Sequence, residues 1–376
     1  MKILFGGGGT GGHFYPIIAI VQALNKIIDE DKILDAKLYY LSTSPYNKGV
    51  LFENGITYKE ISAGKFRRYF SILNFFDLFK TVIGVIRALW VIYSIYPDVV
   101  FGKGGYASVP TLLAARILRI PIFIHESDSV PGKANLWASK FAKKIAISYE
   151  EASIYFPKEK TAYTGQPIRE DILKPLKEGA YEFLKLNPSI PTILVTCGSQ
   201  GAELINDTVL RALPDLLPKY QIIHQTGTTN LDTVDKLASV INKDSPYKDR
   251  YRTFGYLNDL SLRMASGISR LVISRAGSTI FEISSWGLPS IVIPITDSNG
   301  DHQRKNAFNY ARVGACTVVE ENNISPHVLI SEIKKIMETP ALEEKMKAGA
   351  KGFYHPNAAR TIAKGIISLA LEHENQ

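Results

Sequence analysis

The chain has 376 residues, 45% hydrophobic and 21% charged, with 44 Lys and Arg against 36 Asp and Glu for a net charge of +8. That length exceeds one ordinary core and the composition is globular, which excludes a disordered or fibrous chain and leads us to expect two domains. The positive balance points to an anionic partner (a nucleotide, a nucleic acid or a membrane surface), and Cys197 and Cys316, far apart in apolar runs, read as reduced core thiols.

The first apolar run, Lys2–Phe5, is too short for a helix and is broken by glycine, so it does not read as a signal peptide. It passes into six glycines among the seven residues Gly6 to Gly12. This is a buried parallel strand feeding a loop that reaches positive φ and curls into a nest of N–H donors. From Pro16 the pattern turns helical, with Ile17, Ile20, Val21 and Leu24 on one face and the proline in the first turn. Strand, glycine loop and helix start together form an anion-binding device. The G-x-G-x-x-G spelling occurs twice, at Gly6/Gly8/Gly11 and Gly7/Gly9/Gly12. Yet the next strand, Lys37–Leu41, ends in Ser42, Thr43 and Ser44, with no acid to hold a dinucleotide's ribose. The loop ends on His13, read as facing a ligand in preference to capping a helix in solvent. Asp29-Glu30-Asp31 spells D-x-D but lies at a charged helix terminus, hence on the surface.

Tyr69 to Tyr96 is a helical stretch with a narrow polar stripe, Asn74, Asp77, Thr81, Gly84, Arg87 and Ser94, on an otherwise aromatic and aliphatic circumference. Its charges cut it into pieces shorter than the roughly 20 apolar residues a bilayer requires. It is expected to pack one face on the protein and to lie on a membrane surface, with Phe75, Phe76, Phe79 and Trp90 toward the acyl boundary and Lys65, Arg67 and Arg68 beside them. Strands at Val99–Phe101, Pro121–Ile124 and Lys144–Ile147, spaced by helix-length segments, complete a doubly wound parallel sheet. His125-Glu126-Ser127-Asp128 ends one strand, where such sheets bind ligands, the alternative being solvated loop charges. Tyr163–Asp171 reads as a hinge around Gly165-Gln166-Pro167.

A second α/β unit starts near Pro191. Thr192–Cys197 leads into Gly198-Ser199-Gln200-Gly201, which reads equally as a phosphate cradle at a helix start or as an ordinary tight turn. Beyond strands Gln221–His224 and Leu271–Ser274, Arg275 to Thr279 with Glu282 suits a charged ligand with vicinal hydroxyls better than an intrahelical pair seven residues apart. Strands at Ser290–Ile293 and Thr317–Val319 flank Asp301 to Asn306, donors for a sugar or a polar helix start. A last helix, about Ala358 to Leu371, could cover either unit.

In order along the chain, GGTGGH at Gly8–His13, KGGYAS at Lys103–Ser108, HE at His125–Glu126, GxPxR at Gly165–Arg169, GSQGA at Gly198–Ala202, SRAGS at Ser274–Ser278 with Glu282, and HQxxNA at His302–Ala307 resemble the MurG family over nearly the whole length. The resemblance implies an α/β GT-B glycosyltransferase fold. Two Rossmann-like, doubly wound parallel-sheet domains would face a cleft: residues 1–164 with a C-terminal helix (about 357–376) packed back on them, and residues 165–356. The implied reaction moves N-acetylglucosamine from UDP-N-acetylglucosamine to the 4-hydroxyl of undecaprenyl-diphosphate-N-acetylmuramyl-pentapeptide, lipid I to lipid II of peptidoglycan synthesis, with inversion in one displacement.

His13 is the implied general base and Glu126 its rival. The donor site carried over comprises Thr10, Gly11, Gly12, Asn135, Arg169, Ser199, Gln200, Gly201, the backbone near Leu257 on uracil, Arg275, Gly277, Thr279, Glu282 on the ribose, His302 and Gln303. Gly9, Tyr106 and Asp128 fall to the acceptor, with Asn135 also facing it. No metal ligand and no required cofactor are expected, a divalent ion being at most a stimulant, because helix dipoles and amides can stabilise the departing diphosphate. Expected partners are UDP-N-acetylglucosamine, lipid I and an anionic membrane surface, with the protein peripheral on the cytoplasmic face of the cell membrane. Nucleic acid is not expected, since no extended Lys/Arg run is interleaved with stacking aromatics except beside the hydrophobic helix. The family's usual HEQN stands here as HESD, its Gly-Asn-Pro as Gly-Gln-Pro at Gly165–Pro167, and the Arg275–Glu282 interval is one residue shorter than in the best-known members. The alternatives are a related UDP-sugar-dependent diacylglycerol glycosyltransferase and a nucleotide-sugar-binding protein without catalysis.

Overall fold

Successive side chains of a strand point to opposite faces, and Ile3 and Phe5 enter one buried cluster while Leu4 enters another. The sheet between these clusters belongs to the first of two units, residues 1–169 with 355–376; the second is 170–354. The break thus follows Arg169 and the chain returns at His355, where the sequence places the borders at 164 and 357. The computed structural model describes residues 1–33, 35–64, 72–198, 201–296 and 298–374, without the side chains of 72–76, 78, 299 and 374.

In the first unit, β1 (Lys2–Gly6), β2 (Lys37–Ser42), β3 (Ile56–Glu60), β4 (Val99–Gly102), β5 (Ile122–Glu126), β6 (Lys144–Ile147) and β7 (Thr161–Tyr163) form a wholly parallel sheet in the order β3-β2-β1-β4-β5-β6-β7. Helix α1 (Gly11–Glu30) covers one face. The last helix of the chain, Ala358–Glu374, lies on that same face, where Ile362, Ile366 and Ala370 join Ile17, Ile20 and Leu24. Helices α2 (Ile72–Ile95) and α3 (Val109–Ile117) cover the other. In the second unit, β8 (Thr192–Thr196), β9 (Gln221–Gln225), β10 (Tyr251–Phe254), β11 (Ser269–Ser274), β12 (Ser290–Val292) and β13 (Cys316–Val318) are also all parallel, in the order β10-β9-β8-β11-β12-β13. Helix α4 (Glu203–Leu216) packs Ile205, Val209 and Leu213 on Ile193 and Val195, and α5 (Thr279–Trp286) packs Ile283 and Trp286 with Leu194 and Val272. Both cysteines are free.

Three strands escape the sequence reading, β3, β7 and β10, and each is the edge of its sheet. Edge strands are short and half-solvated, so ITYKE, TAY and YRTF lack the apolar run that marks the inner ones. One local expectation is corrected. Helix α1 begins at Gly11, which puts Pro16 inside it and His13 in its first turn rather than in the loop. Helix α2 packs Gly84, Ala88, Ile92 and Ile95 on the protein and leaves Arg87 and Ser94 of its polar stripe exposed; a Cβ on Gly84 would stand 1.7 Å from the Ser62 carbonyl. Large side chains also point outward, Trp90 being 72% and Tyr93 68% exposed.

Replacing Ile366, fully buried beneath the first sheet, by alanine is expected to cost about 2–5 kcal/mol through lost burial and the cavity left behind. Urea denaturation followed by a fluorescence probe confined to residues 1–169 should show a lower midpoint, and an unchanged midpoint would mean that the last helix contributes little to that core.

Candidate active site

Each sheet grows to one side of its first strand and then to the other, so the loops leaving the strands at that reversal diverge and open a crevice at their carboxyl ends. In the first unit these are the loops after β1 and β4. The Lys103 amide donates to the Gly6 carbonyl at 2.9 Å and ties them together at their base. Gly8 turns at φ +122°, where any Cβ would lie 2.4 Å from both Ser42 Oγ and Tyr40 Oη, so the loop's backbone sits where a side chain cannot. Tyr40 Oη donates to the Gly7 carbonyl at 3.0 Å and Tyr106 packs over Gly9.

His13 projects from the first turn of α1 toward Gly105, with its Nδ1 buried and without a hydrogen-bond partner. Burial first, then repulsion by Lys103, lowers its pKa to about 4, against the opposing pull of Asp128. The imidazole is therefore neutral around pH 7. Glu126 ends β5 with its carboxylate committed to its own loop: it accepts from the Asp128 amide (3.0 Å), the Gly132 amide (3.1 Å) and Asn135 Nδ2 (2.9 Å). Burial, joined by Asp128, raises its pKa, while those amide donors and Lys103 oppose the rise. Asn135 is buried and also donates to the His125 carbonyl at 3.0 Å, which makes it a strut of this loop. Arg169 lays its guanidinium over the Tyr15 ring at 3.8 Å, on the helix that carries His13.

In the second unit the corresponding crevice lies between the loops after β8 and β11. Gly198 and Gly201 hold positive φ (80° and 72°) ahead of α4; Ser199 and Gln200, between them, lie outside the described residues. Gln225, which sequence reasoning missed, joins two of the surrounding loops: its Nε2 donates to the Gly198 carbonyl at 2.8 Å and its Oε1 accepts the Leu257 amide at 3.0 Å. The Leu257 N–H is thus occupied, so the uracil contact expected of the backbone there does not have a free donor at that atom. Arg275 is held by Glu321 at 2.6 Å and by the Ile293 carbonyl at 3.1 Å, and the second oxygen of Glu321 accepts the Thr296 amide at 2.9 Å. Glu321 too escaped the sequence reading. Gly277 precedes α5, whose first turn carries Thr279 and Glu282, and His302 and Gln303 begin helix α6 (His302–Arg312). Gln303 Oε1 accepts the Ile295 amide at 3.1 Å, and Asn306 pins α6 to the Ala276 carbonyl at 3.1 Å.

The described candidates thus lie past the carboxyl ends of the parallel strands, at the two strand-order reversals and on the loops of neighbouring strands: glycine-loop amides, a helix start and a buried imidazole in the first unit, an arginine and a carboxylate in the second. Gln225 and Glu321 were legible by the same signal as the others, a polar residue at or just past the carboxyl end of a parallel strand, but neither sits in a glycine-marked motif. Among the described residues no group of three or more His, Cys, Asp or Glu is placed to hold a metal ion.

Residues 3–147 match the glycosyltransferase family 28 N-terminal domain and residues 192–362 the glycosyltransferase family 28 C-terminal domain. The chain is 39% identical over 368 residues to a UDP-N-acetylglucosamine–N-acetylmuramyl-(pentapeptide) pyrophosphoryl-undecaprenol N-acetylglucosamine transferase 2 of Bacillus cereus, covering 97% of this chain and 99% of the relative. Among solved structures it is similar to MurG of Acinetobacter baumannii, with TM-score 0.72 and 25% identity over 98% of this chain and 99% of the other. It shares its fold with a UDP-GlcNAc 2-epimerase from Neisseria meningitidis bound to UDP-GlcNAc, with TM-score 0.68 and 17% identity over 98% of this chain and 100% of the other.

Glu321 carries an acid-stability prediction. Burial raises its pKa, but the Thr296 amide and Arg275 outweigh that and hold it below 4.5. A carboxylate with a depressed folded pKa stabilises above its unfolded value, and the contribution is lost as pH falls through the folded one. Glu321→Gln should therefore lower the melting temperature at pH 7 and narrow its gap from the parent below about pH 4.5. Parallel melting curves from pH 7 to 3 would show that the ion pair is not coupled to folding.

Proposed function

Because the chain belongs to the MurG family of UDP-N-acetylglucosamine–N-acetylmuramyl-(pentapeptide) pyrophosphoryl-undecaprenol N-acetylglucosamine transferases, we infer that it transfers N-acetylglucosamine from UDP-N-acetylglucosamine to lipid I, giving lipid II for peptidoglycan. The near-full-length identity to the Bacillus cereus transferase carries this reading. The fold alone would not, since an epimerase shares it.

In the reaction so read, the donor lies on the second unit. Its diphosphate rests on the Gly198–Gly201 loop at the start of α4, where amides and helix dipole favour negative charge, and Glu282 takes the ribose diol. Arg275 is already balanced by Glu321, which leaves much of the charge developing on the departing UDP to those amides. Thr279, His302 and Gln303 supply polar contacts to nucleotide and sugar. The acceptor lies on the first unit, its diphosphate against the Gly9–Gly12 amides and Tyr106. His13 takes the proton of the 4-hydroxyl as that oxygen bonds to the anomeric carbon and the bond from that carbon to the phosphate oxygen breaks, inverting the centre. The neutral imidazole suits this role better than Glu126, whose two oxygens are already engaged by its loop. The reaction so written needs no resident cofactor.

We further place the protein on a membrane surface through α2. No described helix is long and apolar enough to cross a membrane. What supports surface binding is the outward stripe Phe79, Val82, Ile83, Ile86, Trp90 and Tyr93, each at least half exposed, on a helix that packs Gly84, Ala88, Ile92 and Ile95 on the protein. Phe75, Phe76, Lys65, Arg67 and Arg68, expected in the same surface, lie outside the described side chains.

Incubation with radiolabelled UDP-N-acetylglucosamine and a short-chain lipid I analogue, with and without chelator, should label the lipid II product in both. His13→Ala should lower the rate by about 10²–10⁴ while UDP affinity stays. Label only in a diacylglycerol control would replace the reading by glycolipid synthesis, and none in either acceptor by nucleotide-sugar binding. Replacing Ile83, Ile86 and Trp90 together by serine should weaken sedimentation with anionic vesicles at least about tenfold, since each large apolar side chain withdrawn from water is worth about 1.5–3 kcal/mol. Unchanged sedimentation would discard that face.

A further inference from the structure

Three places where this chain departs from the usual family spelling, Ser127, Asp128 and Gln166, meet at one buried lysine that the reading above leaves without a role. Lys103 is 1% exposed. Its Nζ donates to Ser127 Oγ, Ser127 Oγ donates to Gln166 Oε1 at 2.8 Å, and the same oxygen takes Ser148 Oγ at 2.7 Å. With its hydroxyl proton committed to Gln166, Ser148 Oγ accepts from His125 Nε2 at 3.0 Å, which sets the tautomer of that ring. One chain of hydrogen bonds thus runs from the loop after β4 to the ends of β5 and β6 and the 165–169 segment. A buried ammonium is costly unless paired and hydrogen-bonded, and here its charge is attracted by the carboxylates of Glu126 and Asp128 and opposes protonation of the His13 and His125 imidazoles.

We propose that Lys103 is a positioning residue of the transfer site: through Ser127 and Gln166 it fixes the 126–132 loop beside His13, and its charge counters the pull of Asp128 on that imidazole. An amide at position 128 would need no such cation. A carboxylate there, with no positive charge beside it, would raise the pKa of His13 and move the acid limit of transfer toward neutral pH. The inference rests on His13 acting as the base, but its core, the opposing action of Lys103 and Asp128 on His13, can be read without turnover.

Burial lowers the Lys103 pKa to about 8, with Glu126 and Asp128 resisting, so the cation is present at neutral pH and titrates within a measurable range. The test is an NMR titration of the His13 imidazole in the full-length protein, assigned by its loss in His13→Gln, together with the pH dependence of kcat/KM for transfer to the lipid I analogue. In Lys103→Met the His13 pKa and the acid limb of the rate profile should both rise by about one pH unit. The parent's alkaline limb near pH 8 should vanish. Adding Asp128→Asn to Lys103→Met should return the His13 pKa toward the parent's. Lys103→Arg, which keeps a charge that does not titrate below pH 12, should preserve the acid limb and lose the alkaline one; it keeps the idea testable if the methionine variant does not fold. A His13 titration unmoved in Lys103→Met, or an alkaline limb surviving in Lys103→Arg, overturns the proposal. Absence of transfer by the parent, with the His13 titration shifted as expected, would count against the transferase reading and leave the coupling standing.

Discussion

When the two neighbours of a strand are laid down on opposite sides of it, the chain segments leaving their carboxyl ends part, and the backbone donors between them have no strand to bond. Both sheets do this at their first strand, β1 and β8, and the glycine loops of the protein lie at those two points. The glycines there follow from the geometry. A loop that must turn sharply, expose its amides and let a ligand approach the backbone has no room for Cβ, as the neighbours of Gly8 demonstrate.

What differs between the two reversals is the treatment of charge. The second pairs its arginine with Glu321, whose other oxygen takes the Thr296 amide, the two side chains being mostly buried. The first buries Lys103, Glu126, His125 and one nitrogen of His13 together. In that dry setting every charge acts on its neighbours at close to full strength, so protonation, loop conformation and orientation become one property. Asn135 shows the consequence: a residue whose resemblance suggested ligand contact spends its donors on Glu126 and the His125 carbonyl, and serves the site by holding its loop.

Helix α2 carries apolar side chains on both its buried and its exposed face. Close approach to the Ser62 carbonyl demands a glycine at 84, which faces inward with Ala88, Ile92 and Ile95, while Ile83, Ile86 and Trp90 are left outside. The sequence shows an apolar circumference with a narrow polar stripe; which part of that circumference faces the protein is decided by the segment packed against it.

Read alone, the sequence determined the two α/β units, the inner strands and the glycine loops, because buried parallel strands are continuous apolar runs and glycine marks positive φ wherever it falls. It singled out His13, Arg275 and Glu282 as candidates because unusual residue types stand beside those loops. The edge strands β3, β7 and β10 were not legible, since an edge needs no apolar run, nor was the start of α1, because Pro16 resembles a first-turn proline and lies inside the helix. Only the tertiary structure brought Lys103, Ser127, Ser148 and Gln166 into one network and joined Gln225 to Gly198 and Leu257. Those partners lie tens of residues apart on different strands, and strand order, set by the packing of the whole sheet, decides which of them meet.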